Sequence, residues 1–129
     1  MNKYIVDAWA WMEYFRGSEY GAKLNDILED PNTDVYTCAL TIAEIISKTA
    51  REGQNVEAAY DMLLSNSQII RLDEQISKQA GLLHSKLRQT SKDFGIADAF
   101  ILAAANKLEA KIITGDPNFK GLKNAILIK

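Results

Sequence analysis

The stretch Gly95-Ile96-Ala97-Asp98-Ala99-Phe100-Ile101-Leu102-Ala103-Ala104-Ala105, with the β-branched run Lys111-Ile112-Ile113-Thr114 and the turn Gly115-Asp116-Pro117 behind it, decides the fold class. From Ile96 to Ala105 every residue but Asp98 is apolar, which predicts a helix buried on most sides, and the strand after it is equally apolar. A buried helix feeding a buried strand is one unit of an alternating β/α chain. Downstream, Ala125 to Ile128 predicts a last strand.

Upstream the same alternation repeats. Asp73 caps a long helix whose inner face is Ile76, Ala80, Leu83 and Leu87, and Gln68 to Leu72 predicts the strand before it. Val56, Tyr60, Leu63 and Leu64 mark another helix. Before that, Ile42, Ile45, Ile46, Thr49 and Ala50 form a stripe that ends at Gly53 and is opened by Thr41-Ile42-Ala43-Glu44, which has the form of a capping box. Val35-Tyr36-Thr37 reads as a strand, preceded by a helix carrying Leu24, Ile27 and Leu28 and closed by Asp30-Pro31-Asn32. Tyr4-Ile5-Val6 is the first strand; it ends at Asp7, and Ala8, Trp11, Met12 and Phe15 continue at helical spacing to Gly17. The order calls for a mostly parallel sheet of about five strands between helical layers, in a single domain spanning residues 1–129.

Composition agrees with a folded chain: 47% apolar and 25% charged residues over 129 positions are ordinary for one domain able to bury its own core. Cys38 and His84 are the sole residues of their types, so a disulfide framework and a zinc site of nitrogen and sulfur ligands are excluded, and any metal must be held by oxygen. Cys38 reads as a small apolar residue and His84 as a boundary residue. No basic leader with an apolar run opens the sequence, and Ala99 to Ala105 is far too short to span a bilayer, so the expected setting is the cytoplasm, with no membrane partner. Charge is unevenly spread. Residues 1–64 carry 5 Lys/Arg against 11 Asp/Glu, whereas residues 65–129 carry 10 against 6, enough to guide a phosphate backbone locally without the field of a general nucleic-acid binder.

In a parallel α/β sheet, ligands bind at the carboxyl edge, where loops leave the strands and helices begin. Asp7 and Asp116 each follow a predicted strand, and Glu44 and Asp98 each fall in the first turn of a predicted helix, so four acids map to that edge. Singly, each has a plainer reading: Asp7 as a helix cap, Glu44 as the partner of Thr41, Asp116 as a turn residue before Pro117. Asp98, set in an apolar run, needs a dipole, a partner or a metal to offset its desolvation. Together the acids would repel, by about 4 kcal/mol for two charges ~4 Å apart at an effective dielectric near 20. A hard divalent cation, Mg²⁺ or Mn²⁺, resolves that repulsion and favours phosphodiester hydrolysis.

The stretches Val6-Asp7, Thr41 to Glu44, Gly95 to Ile101 and Thr114-Gly115-Asp116-Pro117-Asn118-Phe119 together resemble a PIN domain of the compact kind found as VapC toxins in toxin–antitoxin pairs. The resemblance spans nearly the whole length. It implies a three-layer α/β/α fold and a Mg²⁺- or Mn²⁺-dependent endoribonuclease in which Asp7, Glu44, Asp98 and Asp116 are the catalytic, metal-binding acids. Thr114 supports the last of them, with Asp93 and Asn118 as outer members. Where the family often has Ser or Thr after the first acid, this sequence has Ala8.

On the same reading the chain is a homodimer silenced by a small antitoxin protein. Trp9, Trp11, Met12, Tyr14 and Phe15 give the first helix apolar surface on more than one side, a candidate surface for that antitoxin, although for Trp11, Met12 and Phe15 the favoured place is the core. Arg88 and Lys92 before the Asp98 helix, and Lys120 and Lys123 after Asp116, are candidate contacts to RNA phosphates, with a simply solvated charged face as the plainer reading. A catalytically silent module that binds RNA or protein, and a processing nuclease without an antitoxin, are the alternative functions.

Overall fold

The computed structural model describes residues 2–129. Strands β1 (Asn2–Val6), β2 (Thr33–Cys38), β3 (Gln68–Ile70), β4 (Lys111–Thr114) and β5 (Ala125–Leu127) form one sheet in the order β3-β2-β1-β4-β5, and every adjacent pair is parallel. Between them run α1 (Ala8–Arg16), α2 (Glu19–Glu29), α3 (Ala39–Arg51), α4 (Val56–Asn66), α5 (Glu74–Leu87) and α6 (Ile96–Leu108), with a short 3₁₀ turn at Pro117–Phe119.

Alternation along the strands divides the core in two. Ile5 and Ile112 face α5 and α6 with Ala80, Ala99 and Leu102, while Val6 and Ile113 face the other side with Trp11, Leu24, Ile45 and Leu63. The molecule is therefore a sheet between two helical layers. The alanines of α6 let that helix lie close to the strands: Ala99, Ala104 and Ala105 are fully buried. Among the described residues no helix is long and apolar enough to cross a membrane.

The chain steps from β1 to β2 to β3, then crosses back to place β4 on the far side of β1. That reversal puts a switch point between the carboxyl ends of β1 and β4, where the flanking loops part and leave a crevice.

Three local expectations are corrected. Thr41 to Glu44 is not a capping box: β2 is still paired at Cys38, opposite Ile70, and α3 starts immediately at Ala39 with no side-chain cap. Thr41 thus lies inside the first turn, fully buried, and Glu44 lies in the second turn rather than the first. In α4, Leu63 of the expected stripe is buried, but Tyr60 and Leu64 are exposed and Ala59 takes the other inward position. β3 also ends at Ile70, two residues before Leu72.

The Thr41 hydroxyl has no hydrogen-bond partner among the described residues. A buried hydroxyl left unpaired costs roughly 1–3 kcal/mol, and valine has nearly the same shape without it. Thr41→Val is expected to stabilise the fold by about 1 kcal/mol, a rise of about 4 °C in Tm by calorimetry; a lower Tm would mean that the hydroxyl is satisfied after all.

Candidate functional site

Asp7 leaves β1 and caps α1: one carboxylate oxygen accepts from the Ala10 amide at 2.8 Å and the other accepts from the Thr114 hydroxyl. Thr114, the last residue of β4, in turn accepts from the Asp116 amide at 2.9 Å. One hydroxyl therefore joins the ends of the two strands that flank the switch point. Asp116 accepts from the Asn118 amide at 2.9 Å and opens the 3₁₀ turn, and the Asn118 side chain donates to the Asp93 carbonyl at 3.0 Å, tying that turn to the loop before α6. Asp98, in the first turn of α6, accepts from the Gly95 amide at 3.3 Å. Glu44 comes from α3, carried to the same rim by the neighbouring strand β2.

Asp7, Glu44, Asp98 and Asp116 line one cleft of about 330 Å³, together with Ala8, Trp9, Ile101, Gly115, Pro117 and Lys129. Capping and convergence coexist here, because each capping oxygen keeps a further lone pair and Asp7, Asp98 and Asp116 all stand at the positive ends of helical turns. Among the described residues no three acid, imidazole or thiol groups are close enough to form a ready metal cage. The donor set is nonetheless entirely oxygen, the kind that suits Mg²⁺ or Mn²⁺.

Burial, outweighing the Thr114 and Ala10 hydrogen bonds, pushes Asp7 up to about 6, with the charges of Asp98 and Asp116 adding to the rise. Asp98 is raised by desolvation and by Asp116. Glu44 is raised by desolvation and by Asp98, although its outer surface stays open to water. The carboxylates thus sense one another across the cleft.

For Asp7, the folded state prefers the protonated form, so its contribution to stability is present below the ordinary value of 3.8 and is lost as pH rises through about 6. The size is about 3 kcal/mol, from 1.36 kcal/mol per pH unit. In chelator, Asp7→Asn is expected to be more stable than the parent at pH 7 and to lose that advantage toward pH 4 in urea denaturation. An advantage independent of pH would refute desolvation as its cause.

The other expected residues separate. Trp9 lines the cleft, but Trp11 is fully buried and Met12 nearly so, while Tyr14 and Phe15 are half-buried against the same core. The Trp11 indole donates to Thr37 at 3.1 Å, so it is a core residue rather than apolar surface for a partner. Asp93 takes part through its backbone carbonyl. Arg88, Lys92 and Lys120 are exposed on the segments flanking the cleft. Lys123 is exposed too, but away from the cleft: it lines a depression with Glu109, Lys111 and Asn124 at the amino edge of the sheet. The reason is topological, since β5 runs parallel to β4 and the chain must return to the opposite edge before starting it.

Parallel β5 also brings Lys129 to the acid rim, a cation that no local pattern announces. Its ammonium lies 5.9 Å from the centre of the Trp9 ring. Gly115 is equally hidden in the sequence: a Cβ there would come within 2.6 Å of the Trp9 ring, so only glycine lets the indole close the cleft wall.

The family model of the PIN domain matches residues 4–124. No curated protein sequence matches the chain. A toxin–antitoxin complex from Klebsiella pneumoniae has a chain of similar fold, with a TM-score of 0.77 at 20% identity over 97% of both chains. The VapBC2 complex of Rickettsia felis, bound to a DNA fragment from its promoter, gives 0.74 at 21% identity over 97% of this chain and 96% of that one. VapC20 of Mycobacterium tuberculosis, a toxin that cleaves the sarcin–ricin loop, gives 0.66 at 15% identity over 84% and 85%. At these identities the likeness is one of fold.

Proposed function

This chain belongs to the PIN domain family, and from that premise we propose that it is a divalent-metal-dependent endoribonuclease, the toxin of a VapBC-type pair, that hydrolyses RNA phosphodiester bonds in the cytoplasm. The observation that carries the reading is the convergence of four acids, from positions 7, 44, 98 and 116, on one cleft at the switch point of the sheet. In this reading they hold Mg²⁺ or Mn²⁺, which supplies Lewis acidity and neutralises charge on the scissile phosphate.

The protein's own part is to fix the donors. Thr114 holds Asp7 and the Asp116 loop in one register, and the Gly95 amide holds Asp98. The supporting hydroxyl comes from Thr114 across the sheet, where Ala8 has none to give. Lys129 adds a cation at the rim for a phosphate oxygen. A small antitoxin that silences the enzyme is the partner that the structural likeness to toxin–antitoxin complexes supports, and a homodimeric state belongs to the same proposal.

Labelled total RNA incubated with the purified chain is expected to be cut in Mn²⁺ or Mg²⁺ and left intact in chelator. Ion binding is also expected to raise Tm, by about 2.7 kcal/mol of added stability at 100 times Kd. RNA that stays intact in both ions, with no shift of Tm, would end the nuclease reading.

A further inference from the structure

The acid cleft does not stop at Trp9. Adjoining it is a groove of about 540 Å³ between α1 and α3, and the two depressions share Ala8, Trp9 and Glu44. Along α3 the groove presents Glu44, Lys48 and Arg51, at i, i+4 and i+7 on one helix face, so the cations stand about 6 Å and about 10 Å beyond the acid along the axis. Charge changes sign along this line: acids in the cleft, then two cations in succession.

Those cations are unusual for their surroundings. The first 64 residues hold 5 Lys/Arg among 11 acids, and two of the five line this groove. The ion pairs among the described residues are Arg16 with Glu13 and Glu52, and Lys107 with Asp73, so neither Lys48 nor Arg51 is held in a close ion pair. Arg51 donates to Ser47 at 3.4 Å, which lays its guanidinium along the helix. Trp9, Ala8 and Ala43 give the floor its accessible apolar surface, over Met12 and Ile45 buried beneath it. Unpaired cations over an apolar floor, continuous with a phosphodiester-cutting cleft, suit a polyanionic strand whose bases lie on the floor.

We propose that the α1/α3 groove is a subsite for single-stranded RNA on one side of the scissile bond, with Lys48 and Arg51 each holding a backbone phosphate and Trp9 supporting a base. This rests on the ribonuclease reading and extends it to the path of the substrate. The subsite is sequence-tolerant, since it contacts phosphates and base faces.

The test uses a fluorescent single-stranded RNA of about 12 nucleotides, bound to the Asp98→Asn chain with and without Lys48→Gln/Arg51→Gln. Lys111→Gln/Lys123→Gln, at the opposite edge of the sheet, is the charge-matched control. Each phosphate contact on a single strand contributes about 0.7 to the slope of log affinity against log salt, so removing two flattens it by about 1.4. The advantage of Asp98→Asn over the groove variant should therefore shrink about sevenfold between roughly 50 and 200 mM salt, while the control keeps the original slope. In the cleaving chain, the groove substitutions should raise KM for long RNA and spare kcat. Equal slopes would overturn the subsite and hand the groove to an acidic protein segment. Cleavage of total RNA by the unsubstituted chain separates the two levels: if it cuts and the slopes are equal, only the subsite fails, and if it does not cut, the nuclease reading fails.

Discussion

Asp98→Asn is expected to lower RNA cleavage by on the order of 10³-fold, a loss typical of removing one well-placed electrostatic contact from an active site. The fold should survive. The asparagine side chain keeps an oxygen that can accept from the Gly95 amide, so the first turn of α6 remains tied, and it no longer repels Asp7, Glu44 or Asp116. Melting in chelator should thus show a Tm at or above that of the parent, while the rise in Tm on adding Mn²⁺ should shrink or vanish. These opposed changes are the signature of a charge kept for function at the expense of stability. Cleavage by Asp98→Asn at the parental rate would remove Asp98 from the site, whatever the cleft looks like.

Asp98 is also the acid most legible from sequence, because a charge inside an apolar run has few cheap explanations. Asp7 and Asp116 are legible for a different reason: each follows a β-branched run, and the carboxyl ends of parallel strands share one edge. Glu44 reaches the cleft through the position of its helix, although the local motif that suggested its place is absent. β2 continues in the sheet until α3 begins, which leaves the Thr41 hydroxyl buried with no partner among the described residues instead of capping. What the sequence hides is contact between elements. Lys129 joins the rim and Lys123 leaves it because of the direction of β5, a property of strand pairing that no local window contains. Tyr60 and Leu64 fit the helical period of α4 as well as Ala59 and Leu63 do, and packing against α3 in the second core selects the smaller pair.

Gly21→Ala is expected to destabilise the protein by about 3 kcal/mol, which is a fall of roughly 10 °C in Tm for a chain of this size. Helix propensity alone predicts the opposite sign, because alanine is better than glycine inside a helix by about 1 kcal/mol. Gly21 lies in the first turn of α2, buried where α2 folds back on α1, and its amide donates to the Ser18 hydroxyl at 3.1 Å. A Cβ at this position would come within 2.6 Å of the Tyr14 Cα and 2.7 Å of the Glu13 carbonyl carbon, closer still to the Glu13 oxygen. These are backbone atoms, so no rotamer change relieves the overlap and the helices must move apart. The contact has little slack elsewhere: Gly17 ends α1 with a φ of 70°, and the Ser18 amide already donates to Glu13 at 3.2 Å. Separation of the pair would also act on the cleft, because α1 carries Trp9 from the Asp7 cap to its packing against Gly115. Urea denaturation measures the first effect, and the loss of RNA cleavage well below the unfolding transition measures the second. A variant as stable as the parent would show that α1 and α2 approach less closely than described, and would free Trp9 from the constraint that shapes the acid cleft.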